Sequence, residues 1–190
     1  MNESLPGLVD FFSPTFSYIL ELERRLREEG GSLVESPEDF QARLRATLDE
    51  GRARALAVSK RPQDVDEAMF ALVAWVDEIM ANYPDWNQIA VPLQITLFNS
   101  HNAGDDFYDI HLSRLTAQQD EVREIFYLVM CLGFVGRHYL DISDGGEWTK
   151  LKDVNARQLP HAPVAAHLLA EEHLTPQPYL DLQNPSPPPR

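Results

Sequence analysis

Asp77 and Glu78 are the groups in this 190-residue sequence most suggestive of chemistry. They follow Ala68 to Val76, nine consecutive positions without a polar residue. At 100° per residue, and with the centre of the apolar stripe as zero, Asp77 lies roughly 90° to one side and Glu78 almost opposite. Two readings are open. In one, Glu78 faces solvent and Asp77 sits at a boundary. In the other, one or both line a groove between helices, where a carboxylate needs a cationic partner. Residues 61–150 hold 15 acidic and only 5 basic side chains, so Arg137 is the natural counter-ion for either acid.

The remaining reactive side chains form no constellation. The chain has no G-x-S-x-G, no glycine-rich phosphate loop, no H-E-x-x-H and no paired C-x-x-C. Cys131 lies among Val129, Met130, Leu132 and Phe134, surroundings that raise a thiol pKa and make it a poor nucleophile. His161, His167 and His173 are six residues apart, which turns successive rings about 120° away from one another on a helix. They cannot converge on one ion, and His101 and His111 share no helical face with a third ligand. Asp141-Ile-Ser-Asp144-Gly-Gly-Glu147 lacks the alternating oxygen ligands and the distal glutamate of a calcium loop, and reads as a turn. Asp105 and Asp106 after Gly104 are accounted for by the favourable field of a helix N-terminus. No metal and no cofactor is expected.

The elements that must position these groups are helical. Ser13-Pro14 reads as a cap and first-turn pair, with Phe16, Ile19, Leu20 and Leu26 on helical spacing and Gly30-Gly31 as the stop. Ser36-Pro37-Glu38-Asp39 starts a second, charged helix running to about Ser59. A third begins at Pro62, with Val65, Met69, Leu72, Val73, Val76 and Met80 as a complete stripe, and ends at Tyr83-Pro84-Asp85. A short helix over Pro92 to Phe98 follows, then one after Asn102 carrying Phe107, Ile110 and Leu115. The stretch Asp120 to Val135 is apolar all round. There, Gly133 reads as a point of close helix approach, Gly136 as the C-cap, and Arg137 as the complement to the helix C-terminus. Amphipathic helices over Trp148–Arg157 and Pro163–Leu174 complete an all-α fold of seven to eight helices. No segment alternates with period two, and no repeat of 20 to 50 residues is visible.

Composition bounds the function. An apolar share of 44% supports a real core, whereas 30 acidic against 16 basic residues give a net charge of −14. That surface repels phosphate backbones, which argues against nucleic acid. A single cysteine excludes an intramolecular disulfide framework. The longest uncharged apolar run, Ile125 to Gly136, falls short of the roughly 20 residues that cross a bilayer. The N-terminus has no signal-peptide pattern, so the chain as written reads as soluble and cytosolic. Eight of the 14 prolines lie between Pro160 and Pro189, so residues 176–190 read as an extended tail.

Five ordered elements resemble the DotU/TssL family of bacterial secretion-system proteins over roughly residues 8–175. They are Ala71-Leu-Val-Ala-Trp-Val-Asp77-Glu78, then Trp86, then Leu93-Gln94-Ile-Thr-Leu-Phe98, Ala103-Gly104-Asp105-Asp106-Phe107-Tyr108 and Leu132-Gly133-Phe134-Val135-Gly136-Arg137. The resemblance implies an all-helical cytoplasmic domain of two small three-helix bundles with a groove between them, and no enzymatic activity. It implies a component of the type VI apparatus, with the type IVB Dot/Icm apparatus as the less common alternative. Such proteins sit at the cytoplasmic face of the inner membrane, bind an IcmF/TssM-like membrane protein and recruit the baseplate; a homodimer is compatible with this.

Asp77 and Glu78 match the family's acidic pair, and so become the expected partner-binding residues. Gly104, Phe107, Gly133, Phe134, Gly136 and Arg137 match architectural positions. Members of the family it resembles usually carry a transmembrane helix after this domain; the proline-rich tail reads as a spacer toward one, the alternative being a member without its own anchor, attached to the membrane through its partner. Replacing either acid by Ala is expected to weaken partner capture while leaving the thermal melt nearly unchanged. The alternative is a small helical enzyme or metal- or ligand-binding domain built on the same acidic groove.

Overall fold

The computed structural model describes residues 6–28, 36–83, 91–140 and 146–160. Among these are seven α-helices and no strand: α1 (Leu8–Glu28), α2 (Pro37–Ala57), α3 (Pro62–Ala81), α4 (Leu93–Phe98), α5 (Ala103–Asp106), α6 (Asp120–Cys131) and α7 (Glu147–Gln158). A π-helical turn over Phe107–His111 and 3₁₀ turns over Leu112–Arg114 and Gly136–Leu140 join them. Trp86, the turn at residues 141–145, the expected helix over 163–174 with its histidines, and the tail at 176–190 lie outside the described residues.

Helix α3 is the centre. Every position from Ala68 to Val76 is buried, as are the stripe residues Val65 and Met80. It packs against α1, α2, α4 and α6, and α7 closes over α6. One cluster of buried side chains runs from Leu8 to Phe134 through all of these contacts. The expected division into two three-helix bundles therefore does not appear as two separate cores among the described residues.

The start signals behave differently from one another. Ser36 caps α2 as expected, its Oγ accepting the Asp39 N–H at 3.1 Å, with Pro37 in the first turn. Ser13-Pro14 does not start α1. That helix begins at Leu8, where the Gly7 N–H donates to Asp10 Oδ2 at 2.8 Å, and Pro14 lies inside it. Proline removes the donor that would meet the Asp10 carbonyl four residues back. The Ser13 hydroxyl donates to that same carbonyl at 3.1 Å and fills the gap. The early start lets Leu8, Phe11 and Phe12 join the core.

The segment after Asn102 is not one regular helix. Phe107, Tyr108 and Leu112 are buried, and the π-helical turn spaces them so. Ile110, expected on the apolar face, is 39% exposed, and Leu115 is only partly buried.

Helix α6 stops at Cys131, short of the expected Val135. The Gly133 N–H donates to the Met130 carbonyl at 3.2 Å and the Phe134 N–H to the Val129 carbonyl at 3.1 Å, the paired bonds of a Schellman end with Gly133 in the left-handed region at φ 105°. This corrects the reading of Gly133: a Cβ there would meet nothing within 4 Å, so it serves chain reversal rather than close approach. Within α6, buried Arg123 is held by neutral acceptors, Asn155 Oδ1 on α7 at 2.7 Å and the Leu115 carbonyl at 2.8 Å.

Candidate functional site

The two acids leave α3 in different directions, and each clasps two consecutive backbone amides. Asp77 Oδ1 accepts the Leu93 N–H at 3.0 Å and Oδ2 accepts the Gln94 N–H at 2.7 Å. Glu78 Oε1 accepts the Val135 N–H at 2.9 Å and Oε2 accepts the Gly136 N–H at 2.6 Å. Neither acid faces open solvent, which removes the reading of Glu78 as a surface residue. Burial pushes Asp77 up to about 6 and Glu78 above its usual value, against the opposing pull of the amide bonds. Desolvation therefore outweighs the hydrogen bonding at both.

Local sequence explains why α4 needs Asp77. Its N-cap residue is Pro92, which makes no side-chain cap, and a six-residue helix is too short to be stable alone. Asp77 supplies the missing acceptor from another helix. Gln94 passes the connection on, its Oε1 accepting the Ala103 N–H at 3.0 Å where α5 begins. Gly104 then packs on Gly136. A Cβ on Gly136 would stand 2.7 Å from the Gly104 carbonyl oxygen and 3.1 Å from its Cα, and Gly136 has φ +52°. Here the close approach expected of Gly133 is actually found.

Asp77, α4, Gln94, α5, Gly104, Gly136 and Glu78 thus close a ring that begins and ends on α3. It surrounds a groove of about 490 Å³, with Phe40, Met80 and Phe134 adding apolar wall. Both acids line this groove, and Gly104, Gly136, Phe134 and Arg137 border it. Phe107 lies behind it, buried against Phe126 and Phe134 at ring-centroid distances of 4.6 and 4.3 Å.

Arg137 is not the counter-ion of either acid. Its guanidinium pairs with Asp109 Oδ2 at 2.6 Å and lies over the Tyr108 ring, 5.4 Å from the centroid. Four backbone N–H groups do the work expected of a cation at Asp77 and Glu78, so the sparse basic residues were a misleading guide. Sequence reasoning also missed Gln94, Tyr108 and Trp148. The Tyr108 hydroxyl donates to the Val135 carbonyl at 3.0 Å and Trp148 Nε1 to the Phe134 carbonyl at 3.1 Å, which pins the Glu78-bound loop from its other side. No local spacing announces contacts across such separations.

Other reactive groups fall outside the ring. Burial pushes the Cys131 thiol up, as its neighbours suggested. His111 stacks on Phe70 with centroids 3.7 Å apart and its Nδ1 lies 2.5 Å from Glu67 Oε2. Among the described residues, no group of three or more His, Cys, Asp or Glu side chains is placed to hold a metal ion.

Fold and site define the class as an all-α domain whose part-buried carboxylates close a groove. The chain belongs to the DotU family of type VI secretion system proteins, whose model matches residues 7–185. Two solved structures share its fold. The cytoplasmic domain of TssL from Acinetobacter baumannii is 23% identical with a TM-score of 0.66, covering 81% of this chain and 95% of that one. SciP/TssL from enteroaggregative Escherichia coli 042 is 21% identical with a TM-score of 0.62, covering 80% and 88%. No curated protein sequence matches significantly. Among the described residues, no helix is long and apolar enough to cross a membrane.

Proposed function

We propose that this domain is a non-catalytic docking component of the type VI secretion membrane complex, and that its protein partners bind in the groove bordered by Asp77 and Glu78. The observation that carries the reading is the groove itself: a preformed, acid-floored cleft on a chain with a net charge of −14. Its part-buried acids are committed to shaping it, and among the described residues no nucleophile–base pair lines it. Membership of the family supplies the setting. The partners are an IcmF/TssM-like membrane protein and baseplate proteins, met at the cytoplasmic face of the bacterial inner membrane.

Affinity isolation of the full-length protein from its native cell, with mass spectrometry of the co-purifying chains, tests this. Recovery of an IcmF-like membrane protein with baseplate components is the expected result. Their absence from the wild-type isolate, or undiminished recovery with Ala81→Arg and Asn102→Arg at the exposed groove positions in folded protein, would overturn it.

A further inference from the structure

We infer that Asp77 and Glu78 are positioning residues of the groove, one for each wall, with Gln94 extending the Asp77 wall, and that they are not the atoms its occupant touches. This rests on the docking reading above. Both oxygens of each carboxylate already accept a backbone N–H, at 2.6 to 3.0 Å. An occupant reaching those oxygens would have to share them with four amides fixed by the fold.

The two walls depend on this arrangement to different partners. On one side stand α4 and α5, of six and four residues, and neither has a side-chain cap from its own N-cap residue. Asp77 holds the first and Gln94 links the second to it. Helices this short have no independent stability, so their placement follows the acceptors that hold them. On the other side stands the loop from Phe134 to Gly136, held by Glu78 and braced by Tyr108 and Trp148. The walls meet at Gly104 and Gly136, where backbone packs on backbone. Charge is not what this role requires. It requires two acceptor atoms in the right place.

Residue-resolved amide hydrogen exchange on the full chain separates the roles. Asp77→Ala should speed exchange at Leu93, Gln94 and Ala103 at least tenfold and leave Val135 and Gly136 within about twofold. Glu78→Ala should do the reverse, and Gln94→Ala should act on Ala103 alone. If the alanine variants do not fold, Asp77→Asn and Glu78→Gln, which each keep one acceptor, should show the same wall selectivity at smaller amplitude. Loosening of both walls by either substitution, or of neither, would overturn the inference.

A second readout uses the membrane protein recovered with the wild type. Asn and Gln, which keep one of the two acceptors and no charge, should bring its capture part of the way back from Ala toward wild type. If Asn and Gln are as impaired as Ala, the acids are contacts and the inference fails while the docking reading stands. Failure of the wild type to capture any partner would instead sink the docking reading, and the exchange data would still judge the latches.

Discussion

Glu78 and Gly136, 58 residues apart in the chain, meet through a 2.6 Å hydrogen bond from the glycine amide to the carboxylate. Asp77, the preceding residue, makes the equivalent pair of bonds to the start of α4, 16 and 17 residues away. One dipeptide therefore ties a central helix to two distant segments.

Removing either acid should cost stability, contrary to the expectation from sequence that the melt would hardly change. Each Ala substitution strips the acceptor from two part-buried N–H groups, at about 1–3 kcal/mol for each one left unsatisfied. Relaxation and water access reduce the sum, so a loss of about 2 kcal/mol is expected for each variant. Chemical denaturation of the two variants beside wild type measures it.

Two glycines should rank clearly. Gly136→Ala meets both a left-handed φ of +52° and a carbonyl oxygen 2.7 Å from the new Cβ, whereas Gly133→Ala meets only its φ of +105°. Left-handed backbone costs a non-glycine residue about 1–2 kcal/mol, so Gly133→Ala should fall near that range and Gly136→Ala beyond it. Thermal melts of the pair decide the order.

Asp77 gives the protein a pH signature. A carboxyl raised from 3.8 to about 6 by burial binds more protons in the folded than in the unfolded chain. Native stability contributed at this site is therefore greatest below about pH 4 and declines as the pH rises toward about 6. At 1.36 kcal/mol per pKa unit, the decline is up to about 3 kcal/mol. Other groups titrate in the same window, so the quantity to measure is the stability of wild type minus that of Asp77→Asn between pH 4 and 7. It should fall as pH rises. A flat difference would show that the ionised carboxylate suffers no burial penalty.

Calcium, magnesium and zinc should leave the melting midpoint where it is. A site-bound ion would raise it by mass action; of the groove's three carboxylates, Asp77 and Glu78 already have their oxygens on amides and Asp105 accepts from the Asn102 side chain. A saturable rise of several degrees with any one ion would revive the metal-binding alternative.

How legible this was depended on range. Pro62 and the stripe from Val65 to Met80 fix α3 because a 3.6-residue period is written locally, and Ser36-Pro37 announces α2 in the same way. Ser13-Pro14 carries an equally good local signal, but Gly7 with Asp10 wins because an earlier start buries Leu8, Phe11 and Phe12. The π-helical turn at Phe107 follows from tertiary demand for buried Phe107, Tyr108 and Leu112, which no helical period encodes. The same limit applies to the site. The sequence singles out Asp77 and Glu78 because acids are out of place on that helix, yet what they hold is backbone, and amides have no side-chain type to read. Hence Arg137 pairs with neither acid; its partner is Asp109 on the π-helical turn.

Because the two latches are successive residues on one helix, their anchor points are a single Cα–Cα step of about 3.8 Å apart and turned about 100° from each other. The gap between the walls is thus gauged by one peptide unit near the C-terminal end of α3, just after its fully buried stretch from Ala68 to Val76. Inserting one residue between Val76 and Asp77 would turn both latches about 100° around the helix, away from the amides they hold. The groove is, in that sense, keyed to the register of α3, and its dimensions are as rigid as the core through which that helix runs.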